Sequence, residues 1–556
     1  MTTSAATTSA ATTAVTAAPS AWRFEASGGG FRLTQNGRSR LLVGGQVHNS
    51  SSSSAEAIAH SFAHAKEVGG NTVLAPVSWG QFEPQEGAFD TGLVDAMLAR
   101  AREHGLRLVL LWFGAFKNAG STYAPRWVRA DRDRFPRVRI EARGLQAFTY
   151  EGATAKPVLS VFGDELLAAD TRAFEALIRH LREVDAQDTV AMVQVENESG
   201  LLSDSRDRSE AAERAWRGAV PDALLAHLQD DASAGSPVRA VWQRNGAKTS
   251  GSWPEVFGAD WEGDEVFMAW GFARYAERLA AAGTAIKALP FYANAWLAPQ
   301  PGQSEAGQYP SGGPGARVLD VWRVIAPSLA LIGPDIYIDD AASAMRDYAT
   351  GRQPFFVPES RLTAPEVARA IGSHGAVGWS GFGVDDANPE GQVASMLRFL
   401  GALEEQVADA QSRGDVAAVV LEDGEDEAQV AISGLRIVVR DSRRLLQRML
   451  LDAGVRIPET PLDLPDETVA GAMMPTWGDP RPFVLLVRSG DTVTALGRGT
   501  TLDFFQDDAL IEIDAVEEGL VRQGAWTPGR ELNGDERLRI LPDQRVGAAR
   551  IRILAS

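Results

Sequence analysis

Apolar and polar positions alternate in blocks along most of the chain. Short apolar runs of strand character fall at 40–48 (RLLVGGQVH), 71–79 (NTVLAPVSW), 106–114 (LRLVLLWFG) and 189–197 (TVAMVQVEN). Four more follow at 288–296 (ALPFYANAW), 329–337 (LALIGPDIY), 354–359 (PFFVPE) and 375–383 (GAVGWSGFG). Between them lie longer segments with helical periodicity, among them SAEAIAHSFAHAKEVGG, DTGLVDAMLARAREHG, LLAADTRAFEALIRHLREVD and DEVFMAWGFARYAERLAAAG. Several end in glycine, which stops a helix by taking a left-handed backbone. Eight strands alternating with helices predict an α/β fold of the TIM (β/α)8 barrel type. A doubly wound open sheet is the alternative, but no G-x-G-x-x-G or P-loop follows a strand here.

Ahead of the barrel, WRFEAS and FRLTQNGRSRLLVGGQ carry glycines and an Asn-Gly pair that predict hairpin strands. After about residue 405 the period changes to two, as in AAVVLEDGEDEAQVAISGLRIVVRDS and FVLLVRSGDTVTALGRGTTLDFF. The only helical signal there is RDSRRLLQRMLLDAG, so residues 405–556 read as a β-sandwich. The acidic run LEDGEDE reads as a solvated turn. The division expected is a disordered tail over 1–21, a catalytic barrel over 22–404 and the sandwich. The third-to-fourth and fourth-to-fifth strand connections are long, about 80 and 95 residues, and are expected to shape a pocket at the C-terminal mouth of the barrel.

Composition narrows the partners. With 54 Lys and Arg against 73 Asp and Glu, the net charge of −19 disfavours nucleic acid and anionic membranes and leaves neutral ligands unopposed. The absence of cysteine excludes disulfides, thiolate metal sites and a cysteine nucleophile. No apolar run reaches the ~18–20 residues of a membrane span, and the Thr/Ala/Ser-rich start lacks the pattern of a secretory signal. The chain therefore reads as cytoplasmic, with assembly into a homo-oligomer left open.

In a barrel enzyme the chemistry sits at the C-terminal ends of the strands. Those ends offer Gln46, His48 and Asn49; Trp79 and Glu83; Trp112, Lys117 and Asn118; Glu196, Asn197 and Glu198; Asn294 and Trp296; Asp335 and Tyr337; Glu359; and Trp379 with Ser380. This ring of carboxylates, amides and indoles lacks clustered metal ligands and phosphate-binding glycine loops. It suits glycoside hydrolysis, where one carboxylic acid protonates the leaving oxygen and one carboxylate attacks or stabilises the anomeric carbon.

VQVENESG, closing the fourth strand, resembles the Q-x-E-N-E-x-G signature of family 35 glycoside hydrolases, the β-galactosidases. NTVLAPVSWGQFEPQEGAFD resembles the strand-two block of families 35 and 42. LLWFGAFKN, DEVFMAWGFARYAERLAAAG, FYANAWL and PDIYIDD resemble bacterial family 35 enzymes with a C-terminal β domain, and EEGLVRQGAWTPGRELNGDE resembles that domain. The likeness spans roughly residues 22–556. It implies a retaining, exo-acting β-glycosidase that removes terminal β-linked galactose, with no metal or organic cofactor and a carbohydrate as partner.

By that resemblance Glu198 is the acid/base, Asn197 meets the sugar 2-hydroxyl, and Glu359 is the nucleophile, oriented by Tyr337. Trp379 floors the sugar subsite, with a cis bond to Ser380. His48, Asn49, Trp79, Trp112, Lys117, Asn118 and Asn294 complete the expected substrate contacts. A regular strand would put Glu196 on the same side as Glu198. Two positions depart from the animal and plant pattern: Ser199 stands in place of a tyrosine, and Gln46-Val47-His48-Asn49 in place of S-I-H-Y. The rival readings are a β-glucosidase or β-transglycosidase using the same two glutamates, and a carbohydrate-binding barrel without turnover.

Overall fold

The structure, a computed structural model, describes residues 18–28, 30–141, 158–456 and 461–554. Most of the expected tail, and most of the insertion RVRIEARGLQAFTYEGATAK, lie outside the described residues. Ala18 exchanges backbone hydrogen bonds with Ile286 and Ala288, so the chain is already tied to the barrel there.

Strands β1 (Trp22–Ser27), β2 (Gly30–Gln35) and β3 (Arg38–Arg40) form an antiparallel sheet whose hairpin turns at Asn36-Gly37. The barrel strands are β4 (Leu42–Gln46), β5 (Thr72–Ser78), β6 (Arg107–Lys117), β7 (Val190–Asn197), β8 (Phe291–Trp296), β9 (Leu329–Ile336), β10 (Glu359–Ser360) and β11 (Gly378–Phe382). They pair in parallel in chain order, and β11 pairs with β4. The expected eight runs are these eight strands. The seventh is much shorter than PFFVPE suggests, because Pro354 and Pro358 bring no N–H to a ladder. Val357 still bridges to Trp379, which closes the ring between β10 and β11.

Leu42, Leu74, Leu111, Met192, Tyr292, Leu331, Phe356 and Val377 form a core cluster contributed by strands β4 to β9 and by residues just ahead of β10 and β11. Trp22 and Leu33 belong to the same cluster. The Trp22 indole donates to the carbonyl of Asp188, just ahead of β7, and lies near Arg107 at the start of β6. The hairpin sheet therefore packs at the strand N-termini, opposite the mouth. The helices cover the outside with their apolar faces. Ala55–Val68 starts at Ser54, whose side chain accepts from Ala57 N–H, and ends at Gly69, whose φ of 105° an L side chain would strain to adopt.

Beyond the barrel come β12 (Val416–Val420), β13 (Glu427–Ile432), β14 (Leu435–Asp441), β15 (Phe483–Ser489), β16 (Thr492–Arg498), β17 (Thr500–Gln506), β18 (Ala509–Ile511), β19 (Ile513–Arg522), β20 (Ala525–Glu531) and β21 (Gly547–Ile553). They make a six-stranded sheet in the order β12-β15-β16-β21-β19-β20 and a four-stranded sheet in the order β13-β14-β17-β18. The expected helix is present at Ser442–Asp452, and LEDGEDE turns between β12 and β13. In β15, Val484 and Leu486 join the core between the two sheets, while Phe483, Leu485 and Val487 join the barrel's core. Burial on both faces explains why this strand is a continuous apolar run rather than an alternation. Among the described residues no helix is long and apolar enough to cross a membrane.

Candidate active site

Strand register brings the polar strand ends to one rim. Lys117 pairs with Asn197 across β6 and β7. Asp335 stands level with both Trp296 and Glu359 across β8, β9 and β10. A cavity of about 610 Å³ opens there, lined by Asn49, Lys117, Asn118, Glu198, Asp335, Tyr337 and Glu359. Its other walls are Tyr123, Trp296, Phe382, Gln300, Gln303, Met473 and Met474.

Glu198 follows the last residue of β7 with a φ of 43°, a left-handed kink that takes it off the strand path. Its own N–H donates to Asn294 Oδ1 at 2.9 Å. Asn294 Nδ2 donates to Asp335 Oδ2 at 2.6 Å, so one amide ties the backbone of Glu198 to a third carboxyl group. Asn118 Nδ2 donates to Glu198 Oε2 at 2.7 Å. Burial, and then the charge of Glu359, push the Glu198 carboxyl from its ordinary 4.5 up to about 7. Asp335 is raised well above the usual range by burial, then by Glu359 and Glu198, and it hydrogen-bonds Glu198.

Glu359 is 6% exposed. Its Oε1 accepts from the Tyr337 hydroxyl at 2.6 Å, and its Oε2 has no hydrogen-bond partner among the described residues. Asn197 accepts from Lys117 Nζ at 2.9 Å, which fixes the amide and leaves Nδ2 without a partner among the described residues. These are a free carboxylate oxygen and a free amide donor on the residues that strand position and resemblance had marked.

The tryptophans sit elsewhere. Trp79, Trp112 and Trp379 are all 0% exposed and none lines the cavity. The first two bond Glu83 at 2.7 Å and Asp170 at 2.8 Å, and Trp379 lies with Leu362 against Gly381. A ring with no accessible surface offers no face to a sugar, so Trp379 is not the floor. The cavity's aromatic surface comes from Tyr123, Trp296 and Phe382. The bond from Trp379 to Ser380 is not cis; among the described residues the cis bond is Ala298–Pro299. His48 stands behind Phe382, edge-on at 5.0 Å, with Nε2 2.7 Å from Asp386. Asn294 positions its neighbours and does not itself line the cavity.

Glu196 does not share a side with Glu198. Its φ of 60° breaks the strand alternation. The side chain accepts from Ala115 and Phe116 N–H at 3.2 and 2.7 Å and hydrogen-bonds Asp170 of the helix Asp164–Val184. Burial, and then the charge of Asp170, hold it protonated well above the usual range. Asp170 also accepts from Trp112 and from the Tyr275 hydroxyl. This buried acid pair braces the end of β6 that carries Lys117 and Asn118. It fits only because position 114 lacks a side chain: a Cβ there would lie 2.4 Å from Trp112 Nε1 and 2.6 Å from Glu196 Oε1.

Sequence reasoning missed Asp170, Asp386, Gln300, Gln303, Met473 and Met474. Asp170 was visible as a charged residue on the apolar face of its helix. The methionines lie in a stretch without periodicity, where no pattern marks their surroundings. Little of the two long connections reaches the cavity: among the described residues they supply Asn118, Thr122, Tyr123 and Glu198.

A TIM barrel whose mouth holds two buried glutamates, one with its carboxyl pushed up to about 7 and one with an oxygen that has no hydrogen-bond partner among the described residues, has the arrangement that two-carboxylate glycoside hydrolysis requires. Residues 48–223 match the model of glycoside hydrolase family 42, described as β-galactosidase. That match overturns the likeness to family 35: the block beginning NTVLAPVSW, common to both families, lies inside the matched span. Residues 393–541 match a domain of unknown function, DUF5597. A search of curated protein sequences finds no match.

Among solved structures, the chain is similar to the polyextremophilic β-galactosidase of the Antarctic haloarchaeon Halorubrum lacusprofundi, with 12% identity, TM-score 0.39, and 67% of this chain and 58% of that one covered. The β-galactosidase of the psychrophilic Marinomonas ef1 shows 12% identity, TM-score 0.42, and coverage of 67% and 62%. That of Bacillus circulans sp. alkalophilus shows 10% identity, TM-score 0.45, and coverage of 92% and 99%. The chain thus spans less than two thirds of the first two.

Proposed function

We propose that the protein is a retaining, exo-acting β-galactosidase with Glu198 as acid/base and Glu359 as nucleophile. The observation that carries the reading is the division of labour between two glutamates in one cavity. Glu198, raised to about 7, is still about half protonated in neutral solution and can give that proton to the leaving oxygen. Glu359 offers Oε2 to the anomeric carbon while Tyr337 holds Oε1. When the covalent glycosyl-enzyme forms, the negative charge of Glu359 is lost. The pKa of Glu198 then falls, because that charge helped to raise it. The same residue is thereby recast as the base that activates water for the second displacement. Asn197 is buried and does not line the cavity; its Nδ2, without a partner among the described residues, is assigned to a sugar hydroxyl on the resemblance.

A panel of nitrophenyl β-glycosides, with the first-formed anomer read by NMR, tests this. Preferential cleavage of the β-galactoside with β-galactose as first product is expected. A first product of α configuration would refute the double displacement, and preference for the glucoside would move the specificity while keeping the mechanism. A cytoplasmic location and self-assembly belong to the same proposal, checked by cell fractionation and light scattering.

A further inference from the structure

Residues 461–482 run from beyond the helix Ser442–Asp452 to β15, and Met473 and Met474 among them reach the cavity at the barrel mouth. Glu467 anchors them. Its buried carboxyl group accepts the N–H groups of Gln392 and Val393, at the start of the helix Gln392–Ala402. Asn388 N–H donates to the Glu467 carbonyl at 2.7 Å, and Val469 N–H to that of Asp386 at 2.8 Å. The Asp386 carboxylate takes the N–H of Met473 at 3.1 Å and also meets His48 Nε2. Glu467 N–H bonds the Thr476 carbonyl, closing 468–475 into a loop. The loop is thus pinned on both sides of its tip, and at that tip Met473 and Met474 enter the wall of the cavity that holds Glu198 and Glu359.

Depth orders the contacts. Glu198 and Glu359 are each 6% exposed, at the inner end; Met473 is 65% and Met474 43% exposed, at the outer end. A terminal sugar seated against the carboxyl groups therefore directs the rest of its substrate outward past the methionines. The same cavity is also lined by Gln300 and Gln303, whose amides hydrogen-bond each other at 2.7 Å. Thioether side chains adapt to an irregular apolar surface, such as the C–H face of a pyranose, while amides take up its hydroxyls. The net charge of −19 favours a neutral chain over an acidic one.

We infer that the loop 468–475 forms a subsite for the sugar on the leaving-group side, with Met473 and Met474 as its apolar wall, so that the preferred substrates are neutral β-galactosyl oligosaccharides rather than simple galactosides. The inference rests on the catalytic reading above.

Two measurements test it. In the M473A/M474A variant, the ratio of kcat/KM for a neutral β-galactosyl trisaccharide to that for methyl β-galactoside is expected to fall about tenfold, with the Leu/Leu variant restoring it. A ratio within twofold of wild type overturns the subsite. Peroxide oxidation of Glu359→Gln, read by mass spectrometry, gives a second readout that needs no turnover. Saturating trisaccharide is expected to protect Met473 and Met474 but not the exposed Met449 of the helix Ser442–Asp452, and methyl β-galactoside to protect none of them. Equal oxidation with and without trisaccharide overturns the subsite. Wild-type protein that cleaves no β-galactoside at all would instead refute the catalytic reading, and the subsite with it.

Discussion

Glu198→Gln should make the protein more stable in alkali and leave it nearly unchanged in acid. The folded protein holds this carboxyl at about 7, against an ordinary 4.5, because ionising it in a buried site beside Glu359 is unfavourable. Below pH 4.5 the group is neutral in both the folded and unfolded states and carries no penalty. Between about 4.5 and 7 the unfolded chain loses its proton first, so stability falls as pH rises, and above 7 the full penalty remains. At ~1.4 kcal/mol per pH unit the gap amounts to about 3 kcal/mol. Glutamine cannot ionise, and its amide oxygen can still accept from Asn118. With an unfolding entropy of ~2.1 cal/mol/K per residue over 556 residues, 3 kcal/mol corresponds to a rise of about 3 °C in Tm. Paired scans of wild type and variant at pH 4 and pH 9 read Glu198 together with its coupling to Glu359 and Asp335, because every other titrating group is common to both. A Tm difference equal at the two pH values would refute the buried, charge-opposed state of Glu198 and with it the reason for casting Glu198 as the acid.

Glu359→Ala with added azide should yield a glycosyl azide of inverted configuration, and Glu198→Ala acting on a nitrophenyl galactoside one of retained configuration; the same configuration from both would reverse or void the roles. Tyr337→Phe removes a 2.6 Å hydrogen bond to the nucleophile, worth ~1.5–3 kcal/mol, and should lower kcat/KM by about 10- to 100-fold in steady-state assays. Gly114→Ala forces a methyl group against Trp112 and Glu196 and should destabilise the protein by ~1–3 kcal/mol in denaturant titrations. Unchanged stability in that variant would show that the acid pair can shift without effect on β6.

The order of the elements was legible in the chain because each is decided by neighbours in sequence. Eight apolar runs with intervening amphipathic helices can bury their faces together in few ways, and a parallel ring is one of them. Glu198 and Glu359 were marked as candidates by position, as charged residues where apolar strands end, together with their match to a glycoside hydrolase pattern. What the chain alone did not decide was which side chains face the mouth. The kinks at Glu196 and Glu198 break the strand alternation that would place them together, and both depend on contacts across the barrel, with Asp170 on one side and Asn294 on the other. Trp79 and Trp112 read equally as sugar platforms or as wall packing, because indoles near a strand end suit either, and Trp379 read as a platform by resemblance. They became core because each found buried space. The methionine wall belongs to a loop joined to the barrel mouth across 74 to 87 residues of chain, through Glu467 and Asp386. Such a contact leaves no periodicity behind, and only the packing of one sheet system on the other brings it to the site.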